Sequence, residues 1–318
     1  MAWLWSGLLD PLVAGRAIHF AATAIVAGAL LFRIGVAEPV LRRAPVGVDD
    51  VRARLRWIVG CALAVAVVSG VIWLGLEAAA MSGRALTDAM TADVLVKVAT
   101  DTQFGLVGEI RAALALVLVG CLVCDRFSFA RWLATVAGLA LVAAIAWTGH
   151  AGATTGAEGV VHLAADVLHL IAASAWVGGL LPLAVLLAAA RGRPGEAWAR
   201  VARDSVGRFS TLGLISVGVL IVSGLVNSLI LVGSLEALRV TLYGLVLIVK
   251  LMVFALMLAF AAVNRTRLTP RLASAGAPSA DALQQLTRNS VIEIVLGYVV
   301  FILVGLLGTL HPAIHLMV

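Results

Sequence analysis

Histidines are the residues of this chain whose type and spacing best support chemistry. His162 and His169 are seven residues apart, so they share a face of a helix, and Asp166 on that face could orient either ring. Imidazole binds copper, zinc, iron and nickel, and the thioether of Met81 selects Cu(I). The sequence therefore predicts a metal site, and its candidate ligands are His19, His169, His150, His162, His311 and Met81.

The candidate ligands differ in where they lie. His19 and His169 fall inside apolar segments, where an ionisable side chain indicates function by default. We expect these two to form the main site, with His150 and His162 capturing metal at the membrane surface. His311 and His315, four residues apart, could face each other if the last helix continues past Pro312. His315 itself is typical of a side chain that lies at the lipid headgroups.

Membrane-spanning helices must position these residues. The chain of 318 residues is 62% hydrophobic and 13% charged, with a mean hydropathy of +1.09. Its apolar residues fall in blocks of about 20, the length that crosses a bilayer as a helix. The predicted fold class is all-α, a polytopic membrane protein with eight helices. The predicted spans are 13–36, 57–78, 105–124, 132–149, 163–189, 209–233, 241–263 and 291–310.

The basic residues predict the orientation of these spans. Only four basic residues fall near the N-terminus or in the loops after the second, fourth and sixth spans, namely Arg16, Arg84, Lys97 and Arg239. Sixteen arginines fall in the loops after the odd-numbered spans. Since lysine and arginine accumulate in cytoplasmic loops, we expect both termini to face the outside, which is the periplasmic side for a bacterial inner membrane. All six histidines then lie at or near that side.

The sequence also repeats itself. IHFAATAIVAGALL at 18–31 resembles LHLIAASAWVGGLL at 168–181, and TQFGLVGEIR at 102–111 resembles TLYGLVLIVK at 241–250. A Val-Ser-Gly triplet at 68–70 recurs at 222–224. These matches predict an N-terminal half at 1–150 and a C-terminal half at 151–318. Four spans in each half give the two halves the same orientation in the membrane.

Other polar residues within spans need partners. Glu109 and Arg111 are two residues apart and do not face each other on a helix. Lys250 could pair with Glu293 between the last two spans, and Asn227 could hydrogen-bond to another helix. A further pair, Cys121 and Cys124, could receive Cu(I), although apolar packing is the favoured interpretation.

Several function classes are disfavoured. The chain has no phosphate-binding GKS/T loop, metalloprotease motif or nucleophile elbow, so we expect no enzymatic activity. The net charge of +6 is explained by arginines in short loops, so no nucleic-acid partner is expected. Three cysteines in apolar surroundings do not make a disulfide framework.

Nearly the whole chain resembles the copper resistance protein D (CopD) family of bacterial inner-membrane proteins. The main resembling segments are LHLIAASAWVGGLLPL at 168–183, RFSTLGLISVGVLIVSGLVNSLI at 208–230, TLYGLVLIVKLMVF at 241–254, NRTRLTPRL at 264–272 and EIVLGYVVFILVGLLGTLHPA at 293–313. The resemblance implies copper transport, often taken as uptake, beside a periplasmic copper-binding partner of CopC type. It implies copper roles for His19 and His169, then His150.

We therefore expect copper transport or relay across the inner membrane, in copper homeostasis and resistance. Copper would pass from the periplasmic side to a site between the first and fifth spans, built from His19 and His169. Two alternatives stay open. Paired histidines on facing helices also ligate haem, as in b-type cytochromes, and the chain could instead be a non-catalytic assembly partner of a copper enzyme. The oxidation state of the copper is not determined by the sequence.

Overall fold

The computed structural model describes residues 10–43, 47–193, 195–273 and 280–316 of the chain. This described part contains no strand, and it has eight helices that are long and apolar enough to cross a membrane. The predicted fold class, an all-α polytopic membrane protein, is confirmed. The spans are Pro11–Leu41, Val48–Ser82, Gln103–Val123, Ser128–Thr148, Gly156–Arg191, Glu196–Val232, Leu242–Leu272 and Asp281–Leu307.

Most spans are longer than predicted, and several of them extend on the side where arginines flank the apolar block. The fifth span has 36 residues, about 54 Å of helix at 1.5 Å per residue, against a hydrocarbon core of about 30 Å. The extra turns belong to the same helix because hydropathy reports contact with lipid, whereas the helix itself can continue into water. Three spans contain a π-helical turn, at Arg33–Ala37, Ser174–Gly178 and Asn264–Leu268.

The first and fifth spans cross in backbone contact at the repeated glycines. A Cβ atom on Gly28 would overlap the carbonyl oxygen of Ser174 and the backbone of Gly178. A Cβ atom on Gly178 would in turn overlap the carbonyl oxygen of Ala24. Small residues allow helices in a membrane to approach this closely. The crossing therefore fixes the two histidine-bearing spans against each other.

The third and seventh spans begin with the same cap. Thr102 accepts a hydrogen bond from the backbone nitrogen of Gly105 at 3.0 Å, and Thr241 accepts one from Gly244 at 3.1 Å. Each side-chain oxygen satisfies a backbone N–H that the first turn of a helix leaves free. The recurrence of the cap follows the sequence repeat, while the proposed division into halves at residue 150 stays a prediction.

We name the two sides of the bundle by their residues. The histidine face comprises the loops after the second, fourth and sixth spans together with residues 308–316, which follow the last span. The arginine face comprises the loops after the first, third, fifth and seventh spans. On the arginine face, Arg33 forms a bidentate pair with buried Asp125, and Arg56 adds a second contact at 3.2 Å. Nearby, buried Glu38 pairs with Arg52 at 3.1 Å.

The Asp125 pair predicts an acid-sensitive contribution to stability. Burial opposes ionisation of Asp125, but hydrogen bonds and charge from Arg33, then Arg56, outweigh it and lower the pKa of Asp125. The contribution is therefore complete above the ordinary aspartate pKa and is lost as pH falls through the lower folded-state pKa. Asp125→Asn should destabilise the protein by about 3 kcal/mol at neutral pH, because it removes the bidentate partner of buried Arg33 and leaves only the longer contact with Glu38, at 3.7 Å.

Thermal unfolding in detergent at neutral and acidic pH measures this effect. The difference between wild type and Asp125→Asn should shrink in acid, where Asp125 is protonated in both states. Asp49→Asn is the matched control, because the Asp49 side chain is 95% exposed and its pair with Arg52 is solvated. Equal unfolding temperatures for wild type and Asp125→Asn at neutral pH would contradict the prediction.

Candidate metal site in the membrane

His19 lies in a pocket formed by the first three spans. Its side chain is buried, its Nδ1 lies 3.1 Å from the Oγ of Ser69, and its Nε2 lies 2.5 Å from an Nη of Arg111. The ring of Trp73 covers it at a centroid distance of 5.2 Å, and a Cβ on Gly70 would lie only 3.1 Å from its Cε1. A cavity of about 310 Å³ reaches both His19 and Arg111.

His169 occupies the corresponding place in the C-terminal half. Its Nδ1 lies 3.0 Å from the Oγ of Ser223, and a Cβ on Gly224 would lie 3.3 Å from its Cε1. Lys250, at the position that matches Arg111 in the repeat, is close enough to act on His169 electrostatically. Across the described residues, no hydrogen bond to the Nε2 of His169 is found. The side chain is half-buried.

The two serines determine which ring nitrogen carries the proton. Ser69 and Ser223 each donate the single hydroxyl proton to a carbonyl oxygen four residues earlier, at 2.6 Å. Each serine must therefore accept its bond to histidine, so Nδ1 of His19 and of His169 is protonated. Nε2 is then the lone-pair nitrogen on both rings. Arg111 occupies that lone pair on His19, while the lone pair on His169 is left open.

Among the described residues, no contact between His19 and His169 is found. The hydrogen bonds found for the two rings are to residues of their own half. A shared site between the first and fifth spans, as expected from the sequence, stays a prediction, and so does a haem held between these two rings. The spans touch at Gly28 and Gly178, nine residues further along each helix.

Beside His169 lies a second group of polar residues. Asn227 of the sixth span donates to Asp166 at 3.0 Å, which confirms its predicted interhelical hydrogen bond. Asp166 thus holds an amide. The sequence had suggested that it orients a histidine, but no such hydrogen bond is found among the described residues. Lys250 interacts electrostatically with Asp166. The predicted pair of Lys250 with Glu293 is wrong, because Glu293 accepts a hydrogen bond from Asn264 at 2.7 Å and forms no ion pair within the described residues.

His150 lies at the histidine face, in the loop after the fourth span. Its Nε2 is 3.3 Å from the carbonyl oxygen of Leu307. Burial lowers the pKa of His150 below the ordinary value; the Leu307 carbonyl opposes this, and charge on Arg16, His315 and His311 adds to the lowering. The end of the last span therefore contacts His150 at Leu307.

The remaining histidines near the histidine face are His162, His311 and His315. His162 is 1% exposed, and its Nδ1 is 2.8 Å from the Oγ1 of Thr154. The last span ends at Leu307, and a short 3₁₀ turn follows at Ala313–Leu316. The helix does not continue past Pro312, so the condition for a helical pair of His311 and His315 is not met. Both side chains are exposed.

The sulfur-bearing candidates lie apart from these histidines. Met81 is 51% exposed, at the end of the second span on the histidine face. Cys121 is buried and Cys124 exposed at the arginine-face end of the third span, and both are free thiols. Within the part of the chain that the structure describes, no three His, Cys, Asp or Glu side chains are grouped so that they could hold a metal ion.

Sequence reasoning missed the contact that closes His19. Arg111 was singled out only as an interruption of the third span and as the cation ending a repeated segment. The repeat held the information, since the same alignment that matches Arg111 with Lys250 matches the two histidines. Helical spacing alone could not show it, because Arg111 is 92 residues from His19 in the chain.

Comparisons with known proteins match both halves of the chain. Residues 8–160 match the family described as copper resistance protein D-like, N-terminal domain, and residues 203–307 match copper resistance protein D. The chain is 28% identical to inner membrane protein YebZ of Escherichia coli (strain K12), over 94% of this chain and 98% of that protein. No solved structure matches.

Two further relatives carry copper in their names. Copper transport protein CutJ of Bacillus subtilis (strain 168) is 30% identical to this chain. The match covers 81% of this chain and 47% of the length of CutJ. Copper resistance protein D of Pseudomonas syringae pv. tomato is 30% identical over 76% of this chain and 79% of that protein. With matches to both parts of the family and this relative covered over most of its length, the chain belongs to the copper resistance protein D family.

Proposed function

We propose that this chain transports or relays copper across the bacterial inner membrane, with His169 as the central ligand. Membership of the copper resistance protein D family supports a role in copper homeostasis. A relative named as an inner membrane protein, together with eight candidate spans, supports a multi-pass location in that membrane. The proposal includes no enzymatic reaction.

The observation that carries the proposal is the open Nε2 of His169. A metal-binding histidine almost always donates its other ring N–H to a neighbouring acceptor, which fixes the tautomer and aims the lone pair. Ser223 performs this role for His169, whose Nδ1 lies 3.0 Å from the serine Oγ. Imidazole nitrogen suits copper. His169 is thus prepared for a metal ion, and His19 would be prepared in the same way if Arg111 moved aside.

The route to this site begins at the histidine face. We propose that this face is periplasmic, as the arginine distribution predicts, and that a periplasmic copper-binding protein of CopC type delivers the metal there. His150, His162 and His311 would receive it, with Met81 as a peripheral thioether. His162 and His169 are two turns apart on the fifth span, so that span connects the face with the intramembrane site. Copper is the cargo, and the direction proposed is uptake.

Capture at the histidine face should depend on His150 and persist in mild acid. The pKa of His150 is lowered, so its ring stays neutral and able to bind metal at a pH below the ordinary histidine value of about 6.5. His150→Ala should lower copper uptake about tenfold at limiting copper and little at saturating copper, because it removes capture and leaves the inner site. Uptake of radioactive copper into cells across a pH series measures both effects.

The matched control is His315→Ala, which removes an exposed histidine from the same face. We expect uptake close to wild type in this variant. If His315→Ala lost as much uptake as His150→Ala, the order of ligands proposed here would be wrong.

An absorption spectrum of the purified protein tests the haem alternative. Copper transport without haem predicts no Soret band in the detergent-purified protein, and metal analysis after copper loading should detect copper. A Soret band that disappears in His169→Ala would favour a redox protein over a copper transporter.

A further inference from the structure

Glu293 lies in the interior of the bundle without a counter-charge. It is 2% exposed and lies near the arginine-face end of the apolar segment 291–310 of the last span. An ionised carboxylate buried in a protein interior is costly and is usually paired. Glu293 forms no ion pair with any described residue, so its surroundings favour the neutral acid.

The other buried carboxylates of the described chain are paired. Asp125 binds Arg33 and Arg56, and Glu38 binds Arg52. Glu293 differs from both, which separates it from the ion pairs that hold the arginine face together. A structural ion pair therefore does not explain why a carboxyl group is present at this position.

Glu293 is instead held by neutral hydrogen-bonding groups. Asn264 donates to its Oε1 at 2.7 Å, and Asn289 donates to the side-chain oxygen of Asn264 at 2.7 Å. The side chain of Trp176, whose only donor is the indole N–H, lies close enough to Glu293 to act on the carboxyl group. These groups satisfy the carboxyl oxygens without adding positive charge.

Charged groups on the neighbouring helices do not pair with Glu293. The elements packed most closely against the last span carry Arg16, His19, Arg191, Lys250, Arg265, Arg267 and Arg271. Arg16 binds the carbonyl oxygen of Gly308, and Arg265 binds Ser210. On the last span itself, Asp281 and Arg288 form no ion pair with Glu293 either. The protonation of Glu293 is thus governed by burial and by its amide and indole partners.

Both spans that supply these partners are irregular where they do so. Trp176 lies in the π-helical turn Ser174–Gly178, and Asn264 begins the π-helical turn Asn264–Leu268. Such turns inside α-helices occur frequently at functional sites. Two of them converge on one carboxyl group here, which is an observation independent of its burial.

The chemistry of the group suits a proton better than copper. Copper is bound in proteins chiefly by imidazole and sulfur, and neither is bonded to Glu293. Intramembrane carboxyl groups of transporters commonly serve as proton relays. From this geometry we infer that Glu293, with Asn264, Asn289 and Trp176, is a proton-binding site in the C-terminal half. Resting on the proposed function, the inference adds that copper movement is coupled to movement of a proton.

Proteoliposomes that contain the full chain and entrapped copper and pH indicators test the coupling. In wild type, added copper should enter together with a change in internal pH. Glu293→Gln, which mimics the neutral acid and cannot release a proton, should reduce the copper-linked pH change at least about tenfold while copper binding at equilibrium stays unchanged. Glu196→Gln is the matched control, since Glu196 is an exposed carboxylate at the start of the sixth span, and it should behave as wild type.

The outcomes separate this inference from the proposed function. Copper entry in wild type without a pH change, or an unchanged pH response in Glu293→Gln, would overturn the proton site and leave copper transport standing. Loss of equilibrium copper binding in Glu293→Gln would make Glu293 a metal ligand and also overturn it. If wild type moves no copper, the proposed transport and its coupling to a proton both fail.

An infrared spectrum tests the proton site independently of transport. Wild type should show a protonated-carboxyl band that is absent in Glu293→Gln and retained in Glu196→Gln. A spectrum in which Glu293→Gln removes no such band would show that Glu293 is ionised, and the inference would then be wrong.

Discussion

Replacing His169 with alanine should abolish copper transport while the protein remains folded in the membrane. The variant removes an imidazole deep in the fifth span whose Nε2 has no hydrogen bond among the described residues. Loss of a group that only orients a metal-binding histidine typically costs about 10–100-fold in affinity, so loss of the histidine itself should cost more. Copper accumulation in cells that lack the native gene, and equilibrium copper binding to the purified variant, measure the effect.

Ser223→Ala should reduce copper affinity less than His169→Ala does. It keeps the His169 ring but removes the oxygen 3.0 Å from Nδ1, so we expect a loss of about 10–100-fold in copper affinity. A purely structural role for His169 would predict similar copper binding in both variants, with changes only in stability.

His19→Ala makes the same change in the other half of the bundle. Because Arg111 occupies the Nε2 of His19 in this structure, copper binding should fall less than in His169→Ala. Equal losses in the two variants would show that Arg111 releases His19 and that both histidines bind the metal. Wild-type copper binding in His169→Ala would remove His169 as a ligand.

Replacing Gly28 with alanine should prevent formation of the folded bundle. The added Cβ would overlap backbone atoms of Ser174 and Gly178, and backbone cannot rotate aside as a side chain can. Overpacking of a core costs about 1–3 kcal/mol when side chains can adjust, and the cost should be higher here because two spans must separate. The yield of monodisperse protein after size-exclusion chromatography, and its unfolding temperature, measure the effect.

Gly60→Ala is the matched control for this prediction. Gly60 lies in the second span, and a Cβ there would meet nothing within 4 Å. The variant should match wild type in yield and unfolding temperature. Wild-type stability of Gly28→Ala would contradict the close crossing of the first and fifth spans.

The class of the protein was determined by the sequence because the bilayer imposes strong constraints. Only a helix or a closed barrel satisfies backbone hydrogen bonds in lipid, so long apolar blocks predict spans and their number. The second and seventh spans extend further on the arginine face than predicted, since Arg52 and Arg265 interrupt the hydropathy without ending the helix. The repeat was also visible in the sequence, and it named His19 and His169 as equivalent residues.

Whether those two residues are equivalent in chemistry was decided only by the tertiary structure. The sequence places an imidazole in each half and a cation at each matching position, Arg111 and Lys250. It does not show that the guanidinium reaches the Nε2 of His19, while Lys250 interacts electrostatically with both Asp166 and His169. Nor does it show that Glu293 lacks a counter-charge, for it suggested Lys250 as the partner. Such contacts join residues far apart in the chain, and their geometry depends on how the spans pack around the Gly28–Gly178 crossing.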